Sequence, residues 1–204
     1  LEPCLEAAEV EAASGKTETW STLYTLTLWM GMVLLTPFDL QSIDSGGDKS
    51  LSDRILELGL QGLRSTSRTR DASAWMLAKF FTRPDVTSAG ALQSFLTWTK
   101  EVWSPPVDAN GSFASIAGLA FVRTGALQAW NQTLKAAPRS VLQTIWKQVL
   151  ELTLGGPSGK GAADFGSSSH LRKLRVAVSC RAGQVALPPR LAPWRYERGG
   201  RSLL

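Results

Sequence analysis

The chain holds very few residues of the kinds that cross-link a protein or bind metal. Its 204 residues contain two cysteines, Cys4 and Cys180, and one histidine, His170. The cysteines lie near opposite ends in no recognisable spacing, so no disulfide framework can be read and a reducing compartment is expected. A structural zinc site normally takes four Cys or His ligands, and with three such residues in the chain it would have to recruit carboxylates. Paired carboxylates, Glu-x-x-His spacing and a Ser-centred elbow are all missing, which leaves hydrolytic and metal chemistry without visible machinery. His170 has no Ser or Cys nucleophile that spacing would set beside it, and reads as a solvated surface histidine.

A long apolar run is missing too. No residue from Thr19 to Phe38 is charged, but the stretch is interrupted by threonines and is continuously nonpolar only from Leu28 to Leu35. That is well short of the roughly 20 residues that span a bilayer, so the stretch is expected to be a buried helix ended by Pro37. Neither a basic n-region with a cleavable apolar stretch nor a lipidation motif is seen, and the chain opens at Leu1 in mid-phrase, as an internal segment would.

What is present suits a helical core. Hydrophobic residues make up 44% of the chain, enough for a continuous interior, and most of the eight tryptophans are expected in the core or between helices. After Ser45-Gly46-Gly47, Ser50 and Asp53 have capping-box spacing, and Leu51, Ile55 and Leu58 with Leu56, Leu60 and Leu63 form a wide apolar face. Asp71 is placed to accept hydrogen bonds at a helix start, with Ala72, Trp75, Met76 and Phe80 on one face and Arg83-Pro84 as terminator. Leu92, Phe95, Leu96, Val102 and Trp103, with Thr99 in the stripe, form a third helix stopped by Pro105-Pro106. Ile116, Leu119 and Ala120 continue the pattern, and after Thr124-Gly125 the set Leu127, Trp130 and Leu134 repeats it. Pro138 opens a helix burying Leu142, Ile145, Val149 and Leu152. Leu171, Leu174 and Val178 suggest a last amphipathic helix, although 174–180 also alternates as a strand would.

Helices of this length in pairs recurring about every 40 residues point to an all-α, armadillo- or HEAT-type helical repeat, an α-solenoid segment, with a globular bundle as the structural alternative. The expected organisation is a poorly ordered or partial helix over 1–16, helical repeats over 17–154, a flexible Gly/Ser-rich loop over 155–169, and a last helix with a basic Pro/Arg-rich tail over 170–204. Within that loop, Gly155 to Gly161 invites a P-loop reading, but Leu154 stands where the motif needs Gly and Gly161 where it needs Ser or Thr. Asn110-Gly111-Ser112 and Asn131-Gln132-Thr133 match the glycosylation triplet, a pattern that arises often by chance.

Charge is uneven. From His170 onward eight cations face one anion, so this part carries +7 of a net +5 and residues 1–169 carry −2. In Trp194-Arg195-Tyr196-Glu197-Arg198 and on to Arg201, cations interleave with two aromatics, an arrangement that can stack on bases, lie on anionic lipid or pair with acidic side chains. The plainer account packs Trp194 and Tyr196 on the last helix and leaves the arginines solvated.

An ordered series of short stretches carries a family signal. Tyr24-Thr-Leu-Thr-Leu-Trp29, Leu35-Thr-Pro37-Phe38-Asp39-Leu40, Arg70-Asp71-Ala72, Ala78-Lys79-Phe80 and Thr82-Arg83-Pro84-Asp85-Val86 resemble successive pieces of the tubulin-folding cofactor D family, as do Gly125-Ala-Leu127-Gln128-Ala129 and the tail from Trp194 to Leu203. The resemblance spans roughly residues 18–203 and implies a section from the first half of a long, non-catalytic helical-repeat chaperone of the cytoplasm and cytoskeleton. It implies β-tubulin, other tubulin-folding cofactors and an ADP-ribosylation-factor-like small GTPase as partners. GTPase activation would belong only to the full cofactor complex, and no cofactor, nucleic acid or membrane insertion is implied. Arg83, Trp194, Arg195, Tyr196, Arg198 and Arg201 become the candidate partner-binding residues. The competing reading is a basic helical-repeat module that binds nucleic acid, with affinity falling steeply in salt; a membrane-peripheral protein held by the tail comes third.

Overall fold

The structure is a computed structural model of the chain, and it describes residues 1–14, 20–103, 116–154 and 168–187. Among the described residues there are helices and turns but no strand. The helices are α1 (Glu2–Ser14), α2 (Trp20–Val33), α3 (Leu51–Leu63), α4 (Thr69–Phe80), α5 (Pro84–Ser88), α6 (Ala91–Trp103), α7 (Ile116–Ala136), α8 (Arg139–Leu142), α9 (Trp146–Leu154) and α10 (Ser169–Ala186), with a 3-10 turn at Leu40–Ile43.

The way these helices touch defines the architecture. Four antiparallel-type pairs pack within themselves: α1 with α2, α3 with α4, α6 with α7, and α9 with α10. The second helix of each pair then packs on the second helix of the next, so that α2, α4, α7 and α10 form one continuous row. First helices also meet, α1 with α3 and α6 with α9. This is stacking of an armadillo/HEAT-type solenoid, in which each helix is too narrow to bury its apolar stripe alone and does so against its own partner and its neighbour.

Local signals explain most of the boundaries. Ser50 caps α3, its hydroxyl accepting from the Asp53 amide at 3.1 Å, while Asp44 accepts from Leu51 N at 2.9 Å and ties down the preceding loop. Those backbone bonds hold the Asp44 carboxyl below its ordinary value. Pro84 ends one element by starting another, sitting at the first position of α5 where its missing N–H costs nothing. Pro138 acts as the cap residue of α8, and a turn at 143–145 separates α8 from α9. The last helix is confirmed as α10, which removes the strand alternative for 174–180.

The core runs unbroken through the stack. Leu5 and Ala8 of α1 are fully buried, so the chain's opening residues are part of the packed structure. Glu9 reinforces this by receiving two bonds from Arg54 of α3, at 3.0 and 2.6 Å. In the middle, Phe80, Phe81, Phe95 and Trp130 pass ring to ring with centroid separations of 5.5, 5.1 and 4.9 Å, joining α4, α6 and α7. Each such ring, fully buried, contributes about 1.5–3 kcal/mol. Most of the described tryptophans are in the core or between helices, as expected: Trp130 is fully buried and Trp98, Trp103 and Trp146 pack against the core, whereas Trp20 and Trp29 are exposed. Three expectations need correction. Asp71 lies inside the first turn of α4, whose cap residue is Arg68. Leu152 is only partly buried, and Thr153 takes the interior position. Thr124-Gly125 is not a break: α7 runs straight through it, and Gly125 is there because a Cβ would stand 2.2 Å from the Leu63 carbonyl oxygen of α3.

Candidate functional site

The row of second helices exposes one long edge, and the edge is where chemistry is available. On α4 it carries Asp71, Trp75 and Lys79, spaced four apart and therefore on one side of the helix. On α7 it carries Phe121, Thr124, Gln128, Asn131 and Lys135, again one stripe. Polar side chains stitch the rows together along this edge. Arg70 Nε donates to Gln128 Oε1 at 2.9 Å, Gln128 Nε2 donates to Asp71 Oδ1 at 2.8 Å, and Arg181 of α10 donates to Asn131 Oδ1 at 2.7 Å. Trp75 packs into the space that Gly31 of α2 leaves open, since a Cβ at Gly31 would come within 2.2 Å of the indole. Lys79 Nζ then sits 5.5 Å above the ring centroid. An amphipathic aromatic held rigid under a cation is the kind of anchor that protein interfaces use.

Arg83 was expected on the partner-facing surface, and the structure places it in the interior, only 7% exposed. Its guanidinium donates to the carbonyls of Leu34 at 2.7 Å, Thr36 at 2.9 Å and Phe38 at 2.5 Å, and forms a forked pair with Asp85 at 3.1 and 3.0 Å. The reason is local. The carbonyls at the end of α2 lack helical partners, and the five donors of an arginine are the densest supply one side chain can offer. Asp85 completes the clamp by accepting from Leu40 N at 2.9 Å. Burial pushes the Asp85 carboxyl up, but the bonds from Arg83, Leu40 and Val86 together outweigh it and hold the group below its ordinary value.

The other candidates, Trp194, Arg195, Tyr196, Arg198 and Arg201, lie outside the described residues, as do the P-loop-like stretch from Gly155 to Gly161 and Asn110-Gly111-Ser112. The second glycosylation triplet is on α7, where Asn131 is engaged by Arg181 and Thr133 is fully buried, so it is no surface loop. His170 is exposed in the first turn of α10. Cys4 is half-buried, with burial raising its thiol, and Cys180 is exposed. Groups of three or more His, Cys, Asp or Glu side chains able to hold a metal ion are absent among the described residues. No helix among them is long and apolar enough to cross a membrane.

Sequence reasoning missed the edge residues Trp75, Gln128 and Asn131 as a set, because they come from helices joined only by the stack. It also missed an apolar patch on α2 and its exit, made by Trp29, Met32, Leu35 and Phe38, exposed by 62%, 59%, 54% and 64%. Their three-residue spacing was visible, but the uncharged run around them reads as a buried helix.

Comparison with known proteins adds a family. A family model described as "Tubulin-specific chaperone D-like, ARM repeat" matches residues 1–103, taking in α1 as well as those stretches quoted from the sequence that lie between Tyr24 and Val86. The chain is similar to the tubulin-specific chaperone D of Dictyostelium discoideum, with 25% identity over 205 residues, covering 88% of this chain and 13% of that protein. It is similar also to the tubulin-folding cofactor D of Schizosaccharomyces pombe, with 29% identity over 180 residues, covering 87% of this chain and 14% of that protein. The chain thus spans a small fraction of the length of these relatives. No solved structure matches.

Proposed function

Because this chain belongs to the tubulin-specific chaperone D-like family of armadillo-repeat proteins, we propose that it is one section of a β-tubulin-binding scaffold. In this reading it acts after the chaperonin in tubulin folding and in joining α- to β-tubulin. It works without catalysis of its own, in the cytoplasm and with the microtubule cytoskeleton. Other tubulin-folding cofactors and an ADP-ribosylation-factor-like small GTPase act with the longer assembly, and any GTPase-activating effect belongs to that assembly.

The observation that carries this reading is the exposed edge of the α2–α4–α7–α10 row. Its side chains are held in place by bonds between neighbouring helices, so little ordering entropy is lost when a client docks. Trp75 and Phe121 supply apolar area, and Lys79, Lys135 and the Arg70 and Arg181 bridges supply positive charge beside it. Electrostatic complementarity of that kind selects an acidic protein surface and speeds encounter with it.

The test is capture of β-tubulin from cell extract by the immobilised chain. Enrichment over a scrambled-sequence control is expected, together with its loss in the double variant Trp75→Ala, Lys79→Glu. Equal recovery on the chain and the control would contradict the proposal.

A further inference from the structure

The turn between α3 and α4 is rich in both cations and hydroxyls, reading Arg64-Ser65-Thr66-Ser67-Arg68-Thr69-Arg70. Its hydroxyls are not alike. Ser67 N donates to Ser65 Oγ at 3.1 Å, while Ser67 Oγ donates to Thr69 Oγ1 at 3.0 Å and accepts from Thr69 N at 3.2 Å, so these groups build the entry into α4. Thr66, in the middle of the turn, is exposed, and its hydroxyl makes no hydrogen bond among the described residues. Exposed helical threonines differ: Thr25 and Thr97 each donate to the carbonyl four residues back, at 2.9 and 3.1 Å. Arg64 and Arg68, on either side of Thr66, are exposed too, and neither guanidinium has a bonding partner among the described residues.

An uncommitted hydroxyl with one arginine two residues before it and another two residues after it is the pattern that basophilic protein kinases select, because carboxylates around their substrate groove pair with those cations. We propose that Thr66 is a phosphorylation site for an arginine-directed serine/threonine kinase. Residues 65–68 belong to neither helix, so the acceptor is presented without unwinding α3 or α4. Ser67 also has an arginine upstream, Arg64 three residues before it, but its hydroxyl is held by the bonds that shape the turn. In the reaction Thr66 Oγ1 attacks the γ-phosphorus of ATP. The new O–P bond forms as the bond to the β,γ-bridging oxygen breaks, ADP leaves with that electron pair, and the hydroxyl proton passes to the kinase's catalytic carboxylate. The product sets a charge of about −1.5 to −2 among Arg64, Arg68 and Arg70, whose planar forks suit phosphate oxygens. Arg70 is the residue that bonds Gln128 on the α7 edge at 2.9 Å. On the reading of that edge as the client surface, phosphate at Thr66 removes cationic attraction where the edge begins and weakens docking.

The experiment incubates the folded 204-residue chain with MgATP and the catalytic domain of protein kinase C, and locates phosphate by peptide mass spectrometry. Phosphate at Thr66 is expected, appearing several-fold faster than in the double variant Arg64→Gln, Arg68→Gln. Thr66→Val should remove this phosphate while leaving the circular dichroism unchanged and the melting temperature within about a degree or two, as surface changes do. A folded chain left unmodified at Thr66 would overturn the proposal. Modification at an equal rate in the Arg64, Arg68 variant would overturn it too, as would phosphate carried by Ser67 in place of Thr66. None of these readings involves tubulin. Capture of β-tubulin by the phosphorylated and unmodified chains then tests the consequence for the edge: several-fold lower recovery after phosphorylation is expected, and equal recovery would overturn it. Failure of the unmodified chain to capture tubulin contradicts the client reading and not the phosphorylation site.

Discussion

The indole N–H of Trp130 on α7 donates to Thr99 Oγ1 on α6 at 3.1 Å, with both side chains fully buried. Thr99 in turn donates to the Phe95 carbonyl at 2.7 Å, so the hydroxyl satisfies the ring without leaving its own proton unpaired. Removing the hydroxyl leaves the indole donor stranded in the core. Thr99→Val, which keeps the shape, is expected to cost about 1–3 kcal/mol, while Thr99→Ser keeps the bond and loses only a methyl group. Urea midpoints of the three proteins check this order.

Arg83 closes contacts with partners 45–49 residues earlier in the chain, so it fixes the exit of α2 more than any local signal does. Arg83→Met is expected to cost about 3–5 kcal/mol, because Asp85 is left half-buried without its partner and three carbonyls lose theirs. Lysine should not rescue it, since one ammonium cannot serve the carbonyls and the carboxylate at once. Thermal melting and protease cleavage within 34–40 provide the measurement.

Two helix glycines make an internal comparison. Gly125 abuts the Leu63 carbonyl, a backbone group that cannot turn aside, whereas nothing lies within 4 Å of a Cβ at Gly183. Gly125→Ala should destabilise by about 1–3 kcal/mol through overpacking. Gly183→Ala, in the interior of α10, should stabilise by about 0.5–1 kcal/mol. Opposite shifts in denaturation midpoint are the expected result.

The Asp85 carboxyl sits below its ordinary value of 3.8 in the folded chain. A lowered folded value means the clamp contributes fully above the unfolded value and is lost as pH falls through the folded one. The stability difference between wild type and Asp85→Asn should therefore be constant from neutral pH down to about 5 and shrink below 3.8. Urea denaturation of both proteins between pH 7 and pH 2 measures it.

Much of the fold could be read along the chain wherever one local pattern decided the outcome. The Ser50 cap, the Leu51-Ile55-Leu58 stripe and the Leu92-Phe95-Leu96-Thr99 stripe all needed only neighbours within a turn or two. Failures came where a distant group decided. An arginine before a proline looks solvated until the unpaired carbonyls of Leu34, Thr36 and Phe38 arrive beside it. Thr124-Gly125 looks like a turn until Leu63 of another helix takes up the space the missing side chain leaves. An uncharged stretch looks buried on all sides, yet only one stripe of α2 meets neighbours in this stack. The edge formed by Trp75, Gln128 and Asn131 had no signal of its own, since its unity comes from the order in which the helices pack.

Footprinting of the chain with and without purified β-tubulin tests the proposed client surface most directly, because Trp75 on the row edge and Trp29 on the outer face of α2 are both oxidisable and report separate faces. Several-fold slower oxidation of Trp75 in the complex, with Trp29 unchanged, is the expected result. A tubulin complex in which Trp75 reacts as fast as in the free chain would contradict the assignment of the helix-row edge as the docking surface.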